Sequence, residues 1–96
     1  MWENEFEFNR VFNKDAKQSD VYDEVSSLVT SCLDGYNISI IAYGQTGSGK
    51  THTMEGTKAN WGITRWTFQE LFEIIAERSG TCTYEISVSI VEIYNE

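Results

Sequence analysis

The stretch Gly44-Gln45-Thr46-Gly47-Ser48-Gly49-Lys50-Thr51 constrains this chain more than any other. It fits G-x-x-x-x-G-K-[ST], a spacing suited to wrapping the phosphates of a nucleoside triphosphate. Glycines let successive backbone N–H groups turn inward with no Cβ in the way, which makes a concave nest for an anion. A helix beginning near Gly49 would aim its unpaired N–H groups and its positive dipole end at the same spot. Lys50 adds a full charge for the β and γ phosphates, and the Thr51 hydroxyl suits Mg²⁺. Such a loop has to join a buried strand to a helix. Ahead of it, Asn37-Ile38-Ser39-Ile40-Ile41-Ala42-Tyr43 is a short β-branched run of the right kind.

The chain of 96 residues is the length of one small domain or a piece of a larger one. Its 41% hydrophobic and 14% aromatic content is globular, which argues against disorder. The formal charge of −8 is spread along both halves and repels nucleic acid, anionic membrane and any other acidic partner. No run approaches the roughly 20 apolar residues that span a bilayer. The start, Met1-Trp2-Glu3-Asn4-Glu5, is acidic and unlike a signal peptide, so Cys32 and Cys82 are expected to be reduced in the cytosol. Asn37-Ile38-Ser39 matches a glycosylation acceptor but falls in the expected buried strand, and is set aside.

In chain order, Glu5-Phe6-Glu7-Phe8-Asn9 alternates polar and apolar as a half-buried strand does, with Val11 and Phe12 closing it. Asn13 to Ser19 is polar and reads as a loop. Ser19 or Asp20 can cap the next helix, whose apolar face is expected at Val21, Val25, Leu28, Val29, Cys32 and Leu33, with Gly35 as its stop. After the glycine-rich loop, Lys50 to Met54 continues as helix and Glu55 to Asn60 is a turn-rich interruption. A second helical stripe follows at Phe68, Leu71, Phe72, Ile75 and Ala76, closed by Gly80. Tyr84, Ile86, Val88 and Ile90 then alternate with Glu85, Ser87 and Ser89 as a strand. Strands alternating with helices predict an α/β layered fold with a mostly parallel central sheet. Glu92 ends an apolar run, the pattern of a carboxylate on the Mg²⁺ side of a phosphate site.

Phe8-Asn9-Arg10-Val11-Phe12, Val21-Tyr22, Leu33-Asp34-Gly35-Tyr36-Asn37, the block Ala42 to Gly56, Gly62-Ile63 and Glu92-Ile93-Tyr94-Asn95-Glu96 resemble the kinesin motor domain, in its order and at its spacing. The likeness covers residues 1–96. It implies a P-loop NTPase-type fold, present here only in part, and a motor that hydrolyses ATP with Mg²⁺ and works on microtubules in the cytoplasm. It carries over Gly44, Gln45, Thr46, Gly47, Ser48, Gly49, Lys50 and Thr51 as the phosphate loop. Lys50 becomes the catalytic γ-phosphate contact, Thr51 the metal-side hydroxyl and His52 a ring for adenine to stack on. The short loop Glu55–Trp61 and the strand from Tyr84 look most like the carboxy-terminal-motor, minus-end-directed group. Direction of movement, cargo and oligomeric state reside in parts outside such a stretch.

The departures set further expectations. Trp66 stands where the family usually has Arg, with Arg65 one position earlier. No R-x-R-P segment precedes Phe6, and neither an N-x-x-S-S-R-S-H nor a D-x-A-G-x-E segment follows. Those supply the γ-phosphate sensors, the water-positioning groups and the carboxylate behind Mg²⁺, and the microtubule-binding elements lie beyond them. A cradle alone holds ground state and transition state alike, so turnover by these residues unaided is expected to be poor. The alternative to an ATP-binding part of a motor domain is therefore a non-hydrolysing nucleotide-binding or interaction module, or a fragment without independent function. In the kinesin sheet, other strands lie between those at Ile38 and Tyr84. The stretch is thus expected either to rearrange or to be marginally stable.

Overall fold

A computed structural model describes residues 4–94. It holds three helices, α1 (Gln18–Leu33), α2 (Lys50–Met54) and α3 (Ile63–Glu77). α1 starts where the polar loop meets its first acids. The Asp20 carboxylate reaches back to accept the Lys17 backbone N–H at 2.8 Å, so Asp20 caps from the third helical position rather than from the boundary. Its charge also lies on the positive end of the helix. The expected stop at Gly35 is present: the Gly35 N–H donates to Cys32 O at 3.1 Å and the Tyr36 N–H to Ser31 O at 3.1 Å.

The buried face of α1 holds much of the expected stripe, widened by two residues. Val29 is buried with Gln18 and Tyr22, Val21 and Val25 pack partly against the core, and Cys32 is exposed. Tyr22 joins the face because it buries more area than a valine and finds an acceptor for its hydroxyl across the seam. Glu70 of α3 accepts the Tyr22 hydroxyl, and it accepts Ser26 Oγ at 2.7 and 2.9 Å. Tyr22, Val29 and Ile63 form the core.

Trp66 explains the missing arginine. Its ring stacks on Tyr22 with centroids 5.9 Å apart and meets Trp61 edge-on at 5.1 Å. A guanidinium there would give up the ring stacking on Tyr22 and the apolar area that Trp66 buries in the seam. Arg65 instead lies over the Trp61 face at 5.6 Å. The packing has a cost, because Trp66 Nε1 and Thr67 Oγ1 are buried with no hydrogen-bond partner among the described residues.

Between α2 and α3 the chain makes a tight loop, as the turn-rich composition of Glu55–Asn60 predicts. Gly56 and Trp61 form an isolated antiparallel bridge, and the Gly62 N–H donates to Glu55 O at 3.1 Å. Gly56 sits at φ +64°, and a Cβ there would collide with the Asn60 carbonyl and the Gly62 amide.

The expected sheet is the main correction. Among the described residues there is no strand: the runs at 5–12, 38–43 and 84–94 form no ladder. Asn95 and Glu96, the end of the last expected strand, lie outside the described residues. Tyr43 is 98% exposed and Ile90 91%. Period-two alternation prepares a strand but does not pair it, and an isolated strand gains neither a ladder nor a covered face. The α3 stripe shares this fate, since Leu71 reaches the core cluster while Phe68 and Phe72 stay exposed. The unpaired arms raise the radius of gyration to 16.2 Å, against about 12–13 Å for a compact domain of this size.

Candidate functional site

The loop Gly44–Gly49 leaves the unpaired Ile38–Tyr43 run and turns before α2. The Ser48 N–H donates to Gln45 O at 3.1 Å, and Gly49 caps α2 at φ +102°. At that φ a side chain would be strained, which is why the boundary residue is glycine. α2 starts at Lys50, where the motif places it, and its first bond runs from the Thr53 N–H to Gly49 O at 3.0 Å. It is shorter than a phosphate-facing helix needs to be for a large dipole. Five residues are under a turn and a half, so few peptide dipoles align and anion attraction falls mainly to the loop amides and Lys50.

Lys50 is half-buried and folds back over the loop, its Nζ donating to Gly44 O at 2.5 Å. The ion pairs among the described residues are Arg10–Glu24 and Arg78–Asp34, so no carboxylate lies within 4.0 Å of the Lys50 ammonium. Among the described residues its charge is answered by the Gly44 carbonyl dipole. Gly44 faces Ser48: a Cβ at Gly44 would come to 2.5 Å from Ser48 Oγ and 3.3 Å from its Cβ. Gln45, Thr46, Gly47, Ser48, Gly49 and Thr51 are exposed. A bare glycine corner, exposed amides and an unneutralised lysine are chemically suited to a triphosphate tail. Thr51 is the one hydroxyl at the motif's metal position. Among the described residues no group of three or more His, Cys, Asp or Glu is placed to hold a metal. Mg²⁺ here would rest on Thr51, the phosphates and water, without the carboxylate that usually completes such a site. Glu92 lies exposed in the unpaired carboxy-terminal run and joins no such group.

His52 is exposed, and its backbone is anchored. Gln18, buried at the start of α1, donates Nε2 to the His52 carbonyl at 2.5 Å. This link ties α1 to the helix carrying Lys50 and Thr51. Sequence reasoning missed it. A lone glutamine ahead of an apolar stripe carries no periodic signal, and its partner is 34 residues away.

The Kinesin motor domain family model matches residues 1–96. The chain belongs to the kinesin motor domain family, and that membership implies the P-loop NTPase fold, although no sheet forms among the described residues. Similar curated proteins include Kinesin-like protein KIN-14E of Oryza sativa subsp. japonica, 58% identical over 91 residues. Kinesin-like protein KIN-14R of Arabidopsis thaliana is 53% identical over 91 residues, and KIN-14P of the same plant is 48% identical over 96. These alignments cover 95%, 95% and 96% of this chain, but only 8%, 8% and 9% of the relatives. The chain thus spans less than a tenth of the length of these relatives. All three are KIN-14 kinesins, the carboxy-terminal-motor group that the short Glu55–Trp61 loop resembles.

Proposed function

We propose that this chain is the ATP-binding part of a microtubule motor domain. Gly44–Thr51 wrap the triphosphate, Lys50 meets the β and γ phosphates and the Thr51 hydroxyl ligates Mg²⁺. His52 offers its ring to the adenine. Mg²⁺, when bound, neutralises phosphate charge. The observation that carries this reading is the Lys50 ammonium, folded onto Gly44 O with no carboxylate of the described residues within 4.0 Å. An incoming phosphate oxygen replaces a carbonyl dipole by a full counter-charge, which favours the exchange. Hydrolysis coupled to microtubule movement belongs to the whole motor domain, and these residues alone bind nucleotide without efficient turnover.

The test is a Mg-ATP titration of the purified chain, read by the fluorescence of Trp2, Trp61 and Trp66. Saturable binding that Lys50→Ala abolishes, with phosphate release at background, supports the reading. Brisk ATP hydrolysis by the unaided chain on added tubulin polymer overturns the division of labour. Absence of saturable Mg-ATP binding by a chain whose far-ultraviolet circular dichroism shows the three helices overturns the cradle.

A further inference from the structure

α2 is five residues long and buries none of them, so it has little of its own to hold it still. Its two sides are fixed by different means. On the phosphate side the loop is self-contained: Gly49 turns at φ +102°, the Ser48 N–H closes onto Gln45 O, and Lys50 Nζ folds onto Gly44 O. On the far side the His52 carbonyl has lost its ordinary helical partner. The Gly56 N–H, which would reach it in a continuing helix, donates to Thr51 O at 3.1 Å instead. The Gln18 side chain takes that place, with Nε2 donating to His52 O at 2.5 Å. Gln18 is buried at the first position of α1, a 16-residue helix. α1 is in turn tied to α3 where Glu70 accepts the Tyr22 and Ser26 hydroxyls. The donor thus rides on a docked helix, and the helix it steadies is a short one.

We infer that Gln18 is a positioning residue for the nucleotide: it sets where the His52 ring stands and leaves the phosphate contacts to the loop. The inference rests on the reading above, in which His52 offers its ring to the adenine. The carbonyl carbon that Gln18 holds is bonded directly to the His52 Cα, so fixing the oxygen fixes the root of the ring. His52 itself is exposed, which makes its backbone the place where the chain holds it. A ring already in place stacks on a base at less entropic cost than one ordered by binding. A neutral amide suits the task. A lysine in its place could donate as well, but its charge would compete with the loop for the phosphates.

The test is isothermal titration calorimetry of the purified chain with Mg-ATP and with Mg-tripolyphosphate, which has the phosphates and no base. Gln18→Ala removes packing as well as the donor. Gln18→Met, which keeps the length of the side chain without its N–H, is therefore titrated beside it, and circular dichroism checks that each variant is folded. Both variants should bind Mg-ATP about three- to tenfold more weakly, a share of the stacking that an aromatic ring gives a base. Both should bind tripolyphosphate as the parent does. In a His52→Ala background, which keeps the carbonyl and loses the ring, Gln18→Met should make no further difference to ATP. Equal losses for ATP and tripolyphosphate overturn the inference and leave Gln18 a structural tie. An unchanged ATP affinity overturns it, and so does a further loss in the His52→Ala background. A parent chain that binds tripolyphosphate as tightly as ATP keeps the cradle but removes the part of the ring, and that of Gln18 with it. A folded parent that binds neither ligand overturns the nucleotide reading itself, and the inference falls with it.

Discussion

The Tyr22 hydroxyl donates to the Glu70 carboxylate across the seam between α1 and α3, 48 residues apart in sequence. Burial first, and then this hydrogen bond and the Glu70 charge, hold the Tyr22 hydroxyl well above its ordinary pKa of 10.0. Glu70 also takes the Ser26 hydroxyl, so one carboxylate organises two side chains of α1.

Glu70→Ala should therefore lower stability by about 1–3 kcal/mol, because it strands two part-buried hydroxyls. The matching fall in melting midpoint is at least about 4 °C for a chain of this size. A thermal melt followed by circular dichroism checks it, and an unchanged midpoint would show that the seam rests on packing alone.

The same pair sets an alkaline limit. A tyrosine whose folded pKa is raised stays protonated in the native state after the unfolded chain has begun to lose that proton. Stability from Tyr22 is then fully present below about pH 10 and is lost as pH rises toward the folded value. Melting midpoints from pH 8 to 11 should fall above about pH 10, and Tyr22→Phe should fall less steeply than the parent. Parallel curves for the two would contradict this.

Gln18 offers a test by sign. Gln18→Ala removes the donor to the His52 carbonyl and should cost about 1–3 kcal/mol. Gln18→Glu should cost more, because a carboxylate would face a carbonyl oxygen in a buried place. Ranking the three melts decides it, and a glutamate variant as stable as the parent would mean that the contact is not a hydrogen bond.

Gly56→Ala should destabilise the chain by more than about 1 kcal/mol, since a left-handed φ and two backbone collisions act together. Gly80→Ala is the comparison, because nothing lies within 4 Å of a Cβ there and its φ is not left-handed. Equal midpoints for the two variants would show that the Glu55–Gly62 loop gives way at no cost.

Loop and helix positions were legible in the sequence because each is encoded locally. α2 begins where the motif spacing places it, Gly35 ends α1, and Glu55–Asn60 interrupts the helices as its turn residues predict. The face of α1 was legible in part. Apolar counting finds Val21, Val25 and Val29 but passes over Tyr22, because its acceptor Glu70 is invisible from α1 alone. The Trp66 substitution was visible as a departure, while its reason, stacking on Tyr22, required the two helices to meet.

By itself the sequence determined the family, the glycine-rich loop with its lysine, and where helices start and stop. These rest on residues within a few positions of one another. Tertiary structure alone decided that Tyr22 joins the buried face of α1, that Gln18 anchors the helix behind the loop, and that the apolar runs at 38–43 and 84–94 remain unpaired. A helix closes its hydrogen bonds within its own segment, whereas a strand closes them only on a neighbour, and no neighbour is supplied by a residue's own surroundings in sequence.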